Sequence, residues 1–290
     1  LTAYFTINTY TLTYTGSTGG VISGTSIQSV NYNLSGTTVT AVANTWYTFS
    51  GWSDGSVVAT RQDIVTGNKT LTAYFTINTY TLTYTGSTWG TISWTSVQSV
   101  NYNNTGTLVQ AVANSWYTFI WWSDWFTWIS RSDFVTGNKT FTAQFGINTY
   151  ILSYATTTWW VISWSTTQFI DFGNSGTTIQ AVANTGYTFS GWSDGSVVAT
   201  RQDIVTGNKT LTAYFTINTY TLTYTGSTGG TISGTNVQSV NYNLSGTTVT
   251  AVANTGYTFS GWSDGSVVAT RQDVVTGNKT LTAYFTINTY

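Results

Sequence analysis

The chain alternates hydrophobic and polar residues in short segments, and clusters of Gly, Asn and Asp separate these segments. In one of them, Tyr10, Leu12 and Tyr14 share one parity while threonines occupy the other. Such two-residue alternation is typical of a half-buried β-strand with one face toward a core and one toward solvent. No segment has the periodicity of an amphipathic helix. The pattern therefore predicts an all-β protein.

The strand pattern recurs with a period of seventy residues. The decapeptide LTAYFTINTY occupies residues 1–10, 71–80, 211–220 and 281–290, and a variant of it occupies residues 141–150. Each period has segments for six or seven short strands. Because a solenoid coil usually takes only about 20–50 residues, we interpret each period as a small β domain with its own core, and the chain as a tandem array of such domains.

The repeat sets the expected domain boundaries. They are residues 1–9 as the closing strand of a preceding repeat, followed by β repeats at residues 10–79, 80–149 (rich in Trp), 150–219 and 220–289. At Asn78 and Thr79 the hydrophobic parity changes without a Gly/Ser/Pro linker, which marks a bulge or a domain boundary. Because two residues leave little room for a hinge, we expect the array to be a stiff rod.

The middle of the first period contains a turn signal followed by a predicted strand. Asp54 and Gly55 form a strong hairpin-type turn signal. Residues 57–60 then predict a strand that continues the sheet beyond this turn.

The composition excludes most catalytic sites. Only 6% of the residues are charged, against about 25% in an average globular protein, and His, Cys and Glu are absent. Zinc sites of the Cys/His type, Ser-His-Asp triads and Cys nucleophiles therefore cannot form. We expect no enzymatic activity and no cofactor. We also expect no nucleic-acid partner, because such proteins bind phosphates with clustered Lys and Arg and the sequence has no such cluster.

The charged residues of the first period are Asp54, Arg61, Asp63 and Lys69. A calcium ion takes about six to eight oxygen ligands and usually several carboxylates, so two aspartates make a weak calcium site and we expect no metal. We interpret Asp54 as a turn residue and Arg61 with Asp63 as a pair on one face of a strand. No apolar run is long enough to span a bilayer, and we expect no membrane span in this segment.

The segment GTTVTAVANTGYTFSGWSDG (246–265), followed by VTGNKTLTAYF (275–285), resembles the divergent InlB B-repeat and the related Listeria-Bacteroides repeats. The shared features are the GYTFSGW strand and the closing strand NKTLTAYF. The resemblance extends to every period, although the third copy, when counted from residue 141, opens and closes differently at Gln144 and Gly146. It implies an extracellular or cell-surface location and a structural role, as a stalk, adhesin or filament segment. It implies no catalytic residue.

Tryptophan is the most distinctive residue of the chain. One Trp recurs at the same place in every period, as Trp52, Trp122, Trp192 and Trp262, and we expect it in the core with its N–H hydrogen-bonded. The ten others are irregular, and nine of them stand where another copy has Gly. Because overpacking a close-packed interior is unfavourable, we expect these on the surface.

The predicted interaction surface consists of Trp89, Trp94, Trp116, Trp121, Trp125, Trp128, Trp159, Trp160 and Trp164. The six in the second period represent on the order of 900–1500 Å² of side-chain surface. Because that area is comparable to the roughly 800 Å² that each partner contributes to a standard protein interface, we favour lateral self-association into a fibre or sheet. The alternative is a lectin-like platform for the sugar rings of glycans.

Asn-x-Ser/Thr acceptors for glycosylation lie mostly in predicted turns. They are Asn33, Asn68, Asn103, Asn138, Asn208, Asn243 and Asn278.

Overall fold

The computed structural model describes residues 1–157 and 161–289. These residues form β-strands and no helix, so the predicted all-β tandem repeat is confirmed, and no helix among them could cross a membrane. The chain divides into two compact units, Leu1–Ile147 and Asn148–Tyr290, and each unit contains two repeats. The boundary between the two units lies at Asn148, which is equivalent to Asn78, the residue at which the hydrophobic parity changes in the sequence.

In the first unit, each repeat forms seven strands. Those of the first repeat are β1 (Thr9–Gly16), β2 (Gly20–Ser23), β3 (Ile27–Asn31), β4 (Val39–Ala43), β5 (Tyr47–Trp52), β6 (Thr60–Arg61) and β7 (Lys69–Ile77). Those of the second repeat are β8 (Thr79–Gly86), β9 (Gly90–Ser93), β10 (Val97–Asn101), β11 (Val109–Ala113), β12 (Tyr117–Trp122), β13 (Ser130–Arg131) and β14 (Lys139–Ile147).

The second unit has the same organisation. The strands of the third repeat are β15 (Thr149–Thr156), β16 (Val161–Ser163), β17 (Thr167–Asp171), β18 (Ile179–Val182), β19 (Tyr187–Trp192), β20 (Thr200–Arg201) and β21 (Lys209–Ile217). Those of the fourth repeat are β22 (Thr219–Gly226), β23 (Gly230–Ser233), β24 (Val237–Asn241), β25 (Val249–Ala253), β26 (Tyr257–Trp262), β27 (Thr270–Arg271) and β28 (Lys279–Ile287).

Each repeat contains two sheets. In the first repeat, a four-stranded sheet has the order β3-β1-β7-β5 and a three-stranded sheet has the order β2-β4-β6. β1 and β7 pair in parallel, with Leu12 opposite Lys69, whereas the other pairs are antiparallel. The other three repeats have the same two sheets with the equivalent strands.

The core of the first repeat lies between its two sheets. Leu12 and Tyr14 on β1 and Leu71 on β7 pack from the four-stranded sheet, and Val39 on β4 packs from the other. The threonines that alternate with Leu12 and Tyr14 are exposed or half-buried. The predicted faces of this segment are therefore confirmed, and each of the four repeats has an equivalent core.

Two predictions for the middle of the repeat are wrong. Residues 57–59 form no strand, and β5 and β6 belong to different sheets instead of forming a hairpin. The reason is the indole of Trp52, which donates its N–H to the carbonyl oxygen of Val58 at 3.0 Å, while its backbone N–H donates to Ser56. The connection between β5 and β6 folds over Trp52 and takes the chain from the four-stranded sheet to the three-stranded sheet.

The predicted closing strand at residues 1–9 also differs from the structure. Residues 1–8 form no strand and are exposed, and Thr9 already belongs to β1. The same sequence at residues 71–78 lies in β7, where β1 and β5 of its own repeat flank it on both sides. Residues 1–8 have no such flanking strands among the described residues.

A single residue, Asn78, separates the first repeat from the second. Its backbone N–H donates to the carbonyl oxygen of Trp46 at 2.8 Å, and its carbonyl oxygen accepts from the N–H of Tyr102 at 2.8 Å. Its side-chain oxygen accepts from the hydroxyl of Thr48 at 2.7 Å. The junction is thus hydrogen-bonded to both repeats, which opposes a hinge at this point.

The junction within the second unit has the same hydrogen bonds. Asn218 donates to Gly186 at 2.8 Å and accepts from Tyr242 at 2.9 Å. The hydroxyl of Thr188 donates to the side chain of Asn218 at 2.6 Å. The change of hydrophobic parity in the sequence therefore coincides with an asparagine that belongs to no strand and forms hydrogen bonds to both neighbouring repeats.

Candidate functional site

The recurrent tryptophan is a core residue, as predicted. Trp52, Trp122, Trp192 and Trp262 are buried, and each indole N–H donates to a backbone carbonyl six residues later at 3.0 Å. Tyr14 contacts the Trp52 ring edge-on at a centroid distance of 5.8 Å. This tryptophan is therefore unavailable to a ligand.

Most of the irregular tryptophans lie on the surface. Those that are exposed are Trp46, Trp89, Trp94, Trp116, Trp125, Trp128 and Trp164. Trp121 is half-buried. Trp159 and Trp160 lie outside the described residues.

Among the described residues, the largest concentration of exposed aromatic residues is the segment 120–129 of the second repeat, which we term the aromatic segment. It covers the end of β12 and the connection to β13. Trp125 and Trp128 are 76% and 75% exposed. The rings of Trp121 and Trp125 lie 5.5 Å apart at 35°. Together these indoles present a hydrophobic surface that the other three repeats, with Gly and Val at these positions, do not have.

The backbone of Trp125 is strained. Its φ is 67°, in the left-handed region where glycine is favoured and a bulky residue costs about 1–3 kcal/mol. Glycine stands at the equivalent position 55, with φ 87°. Trp94 and Trp164 have φ values of 66° and 73°, again where other repeats have glycine. The chain therefore keeps several exposed indoles at positions that favour glycine.

Trp89 behaves differently. It stands where the first repeat has Gly19, whose φ is 103°, yet Trp89 is not among the residues with positive φ. Its indole stacks on Tyr117 with the ring centroids 4.7 Å apart and the planes at 4°. This exposed tryptophan contributes to packing within its own repeat.

In each repeat, one arginine and two aspartates form a charge cluster. In the first repeat, Arg61 makes two hydrogen bonds to Asp63 and two to Asp54, at 2.7–3.0 Å. Lys69 and the hydroxyl of Tyr14 each donate to Asp63 at 2.8 Å. The predicted Arg61–Asp63 pair is confirmed. Asp54 accepts a hydrogen bond from the backbone N–H of Ser56, as expected of a turn residue, and it also forms an ion pair with Arg61.

Sequence reasoning missed the parts of this cluster that are distant in sequence. Tyr14 lies on β1, forty-nine residues before Asp63, which lies in the connection between β6 and β7. In the second repeat, Lys139 instead donates to the carbonyl oxygen of Phe134 at 2.9 Å. The guanidinium of Arg131 there lies 3.7 Å from the centroid of Phe141.

The cluster shifts the pKa values of its members. Hydrogen bonds from Arg61 lower the pKa of Asp54 to about 2. Hydrogen bonds from Arg61 also hold the pKa of Asp63 well below its usual range, against the opposing effect of burial. Burial and the hydrogen bond to Asp63 raise the pKa of Tyr14 well above its usual range. At neutral pH, Asp54 and Asp63 are therefore ionised and Tyr14 is protonated.

Within the described residues, no group of three or more Asp, Glu, His or Cys side chains comes together. The two aspartates of each cluster bond to arginine, and in three repeats one of them also bonds to lysine.

The predicted glycosylation acceptors are all exposed and fall into two geometric classes. Asn33, Asn103 and Asn243 have positive φ values between 61° and 67° in the turn after the third strand of their repeats. The side-chain oxygens of Asn68, Asn138, Asn208 and Asn278 accept from the backbone N–H of a residue in the first strand, at 2.8–2.9 Å. The second class therefore has a structural role in joining a loop to the sheet.

The family model of the divergent InlB B-repeat domain matches residues 10–79, 163–219 and 220–289, which is more than half of the chain. The chain belongs to the divergent InlB B-repeat family. Residues 80–149, which carry the aromatic segment, fall outside the three matched regions of this InlB B-repeat chain. Among solved structures, the Bacillus anthracis TIE protein is similar at a TM-score of 0.39 and 8% identity, over 98% of this chain and 75% of that one.

Proposed function

We propose that this chain is a non-enzymatic structural segment of an extracellular surface protein, a stalk, adhesin or filament, and that its second repeat mediates lateral self-association through the aromatic segment. Family membership supports the surface role, because InlB-like repeats are typically found in surface proteins. The hydrogen-bonded junctions at Asn78 and Asn218 support a mechanical role, because they join neighbouring repeats without a flexible linker.

The charge cluster supports a non-enzymatic role. Arg61 and Asp63 are mostly buried and bonded to each other, and Lys69 and Tyr14 bond to the same carboxylate. A catalytic acid or base needs a pKa near the working pH, whereas the pKa shifts here move Asp63 and Tyr14 further from neutrality. The cluster stabilises the connection between β5 and β6 and offers no activated group.

The observation that carries the proposal is the combination of strain and exposure at Trp125. Its φ of 67° is unfavourable, and at 76% exposed the indole buries little of its surface within the repeat. Trp125 and Trp128 alone expose on the order of 300 Å². Ile120, Phe126 and Ile129 are exposed in the same segment. Because the largest apolar patch of a typical monomer covers about 300–600 Å² and often marks a binding site, we infer that a second copy covers this surface.

Sedimentation velocity of the full chain at increasing concentration tests the proposal. The double variant Trp125→Gly/Trp128→Val introduces the residues that the other repeats carry at these positions. We expect the parent chain to associate with increasing concentration and the double variant to remain monomeric at the concentrations at which the parent associates. Thr127→Val, also a change to the residue of the first repeat, keeps both indoles and should associate like the parent. Equal association of the parent and the double variant would overturn the proposal.

Glycan binding is the second candidate, and the geometry of Trp121 and Trp125 favours it. Two neighbouring indoles at 35° offer a twisted platform, and the partly exposed carboxylate of Asp124 lies in the same segment. Sugar rings bind to such aromatic faces through apolar contact, with polar groups at the edge. A glycan array that retains the parent and not the double variant, with no concentration-dependent association of either, would favour this function.

A further inference from the structure

Each repeat has strand edges, and one of them lacks the usual protection against pairing with another chain. In the four-stranded sheet of the first repeat the edge strands are β3 and β5. β5 is interrupted by a bulge between Phe49 and Gly51, a feature that disrupts pairing at an edge. β3 has five residues, IQSVN, with no bulge, charge or proline. It is the open edge of this sheet.

The register of β3 shows which of its backbone groups are open. The N–H of Tyr14 donates to Ser26, and the N–H of Tyr32 donates to Asn8. Because hydrogen-bonded pairs alternate along an antiparallel ladder, the even-numbered residues bond to β1 and the N–H and C=O of Ile27 and Ser29 point outward. Within the described part of the chain, no hydrogen bond to these outward groups is found.

A groove runs along this edge. It has a volume of about 510 Å³ and lies between β3 and residues 34–37. The Ile27 side chain is 66% exposed, and Leu34 on the opposite wall is also exposed. Equivalent grooves of about 520 and 500 Å³ lie along β10 and β24. In the third repeat the corresponding strand, β17, ends in the charged residue Asp171.

We propose that β3 pairs antiparallel with β3 of a second copy of this chain, and that β10 and β24 provide the same edge in their repeats. Centred on Ser29, this pairing places Ser29 opposite its counterpart and Ile27 opposite Asn31. The outward N–H and C=O groups of each strand then bond to those of the other. The contact is isologous, so the same surface serves both copies.

A second copy is the occupant because the edge is complementary to itself. The open backbone groups recur at every second residue, which is the spacing that another antiparallel strand requires. The strand carries no charge, so two copies meet without repulsion. Five residues form a small contact compared with the roughly 800 Å² per partner of a standard interface. The pairing is therefore weak and depends on concentration. It is independent of the aromatic segment.

The test uses the full chain with Trp125→Gly/Trp128→Val, so that aromatic association does not contribute. In this background, hydrogen exchange at residues 27–31 is measured at increasing protein concentration, above the range in which the parent chain associates through the aromatic segment. We expect protection of the Ile27 and Ser29 amides to rise with concentration, together with a dimer in sedimentation velocity. Absence of both changes would overturn the proposal, and would leave the aromatic proposal unaffected.

Substitutions at the edge complete the test. Ser29→Pro, Ser99→Pro and Ser239→Pro together remove three outward N–H groups that make no bond within the repeats. We expect this variant to lose the dimer, and Ser→Thr at the same three positions to keep it. Should proline impair folding, Ser→Lys places an edge charge there instead and should also abolish the dimer. A folded proline or lysine variant that still dimerises like its parent would contradict the proposal.

Discussion

The indole of Trp46 in the first repeat stacks on the ring of Tyr102 in the second, with ring centroids 4.1 Å apart and planes at 15°. The equivalent pair in the second unit is Gly186 and Tyr242. There the tyrosine ring lies against the glycine backbone, in the space that a side chain on Gly186 would need. The same junction is thus packed in two ways, either by stacked rings or by a ring on glycine.

This difference predicts that the second junction does not tolerate a side chain. Gly186→Ala places a Cβ into the Tyr242 ring at a residue with φ 83°, and we expect it to lower the unfolding free energy by about 2 kcal/mol or more. Gly256→Ala is the matched control, because its φ is 84° and a Cβ there has no neighbour within 4 Å. Chemical denaturation measures both. Equal losses of unfolding free energy in the two variants would mean that strain at positive φ accounts for the whole effect and that the Tyr242 ring contributes nothing.

Relief of backbone strain leads to a second prediction. Trp94 has φ 66° and is 62% exposed, and Gly24 and Gly234 occupy its position elsewhere. We expect Trp94→Gly to stabilise the second repeat by about 1 kcal/mol, because the strain is removed and little packing is lost. Trp89→Gly should instead destabilise it, because Trp89 stacks on Tyr117. Thermal unfolding should therefore show a higher midpoint temperature for Trp94→Gly and a lower one for Trp89→Gly than for the parent chain. A destabilised Trp94→Gly variant would contradict this account of strain.

Acid should destabilise the repeats through the charge cluster. The pKa values of Asp54 and Asp63 are lower in the folded protein than the usual value of about 4 in an unfolded chain. Their contribution to stability is therefore complete above about pH 4 and is lost as the pH falls through the folded values. Denaturant midpoints between neutral pH and pH 2 measure this loss.

The variant Asp63→Asn assigns the acid effect to the cluster. We expect it to cost about 3 kcal/mol at neutral pH, because it leaves the mostly buried Arg61 without its main partner. It should also reduce the acid dependence of the first repeat, followed by hydrogen exchange in β7. An unchanged dependence would assign the acid effect to other groups.

Self-association should be insensitive to salt. In each repeat the arginine is bonded to two aspartates, and the aromatic segment carries a single charge, that of Asp124, which Arg131 neutralises. Association driven by apolar contact does not weaken when charges are screened, whereas contacts between surface charges do. Sedimentation at low and at high NaCl concentration checks this. Dissociation on adding salt would indicate a charged interface.

Local patterns in the sequence predicted the strands and their faces well. Leu12 and Tyr14 face the core because alternation alone decides the face of a strand. Trp52 could be assigned to the core because it recurs at every period while other tryptophans do not. The parity change at Asn78 indicated the junction because a residue outside the ladder shifts the alternation after it.

Contacts between distant segments could not be predicted in this way. The parallel pairing of β1 with β7 and the hydrogen bond from Tyr14 to Asp63 join segments distant in sequence, and no local pattern indicates either. The stack of Trp46 on Tyr102 crosses a repeat boundary, so a single period does not contain it. The strand predicted at residues 57–60 does not form over residues 57–59 for a related reason. The carbonyl oxygen of Val58 accepts a hydrogen bond from the indole N–H of Trp52.

Exchange of the aromatic segment between repeats tests the central claim most directly. In one chain, residues 120–134 are replaced by the sequence of residues 50–64, and in a second chain the removed sequence IWWSDWFTWISRSDF is also placed at residues 260–274. The core Trp, the arginine and both aspartates keep their spacing in either exchange. We predict that, at the concentrations at which the unaltered protein associates, the first chain stays monomeric in sedimentation velocity and the second regains association. Association of the first chain at those concentrations, or none in the second while the unaltered protein associates, would contradict the account.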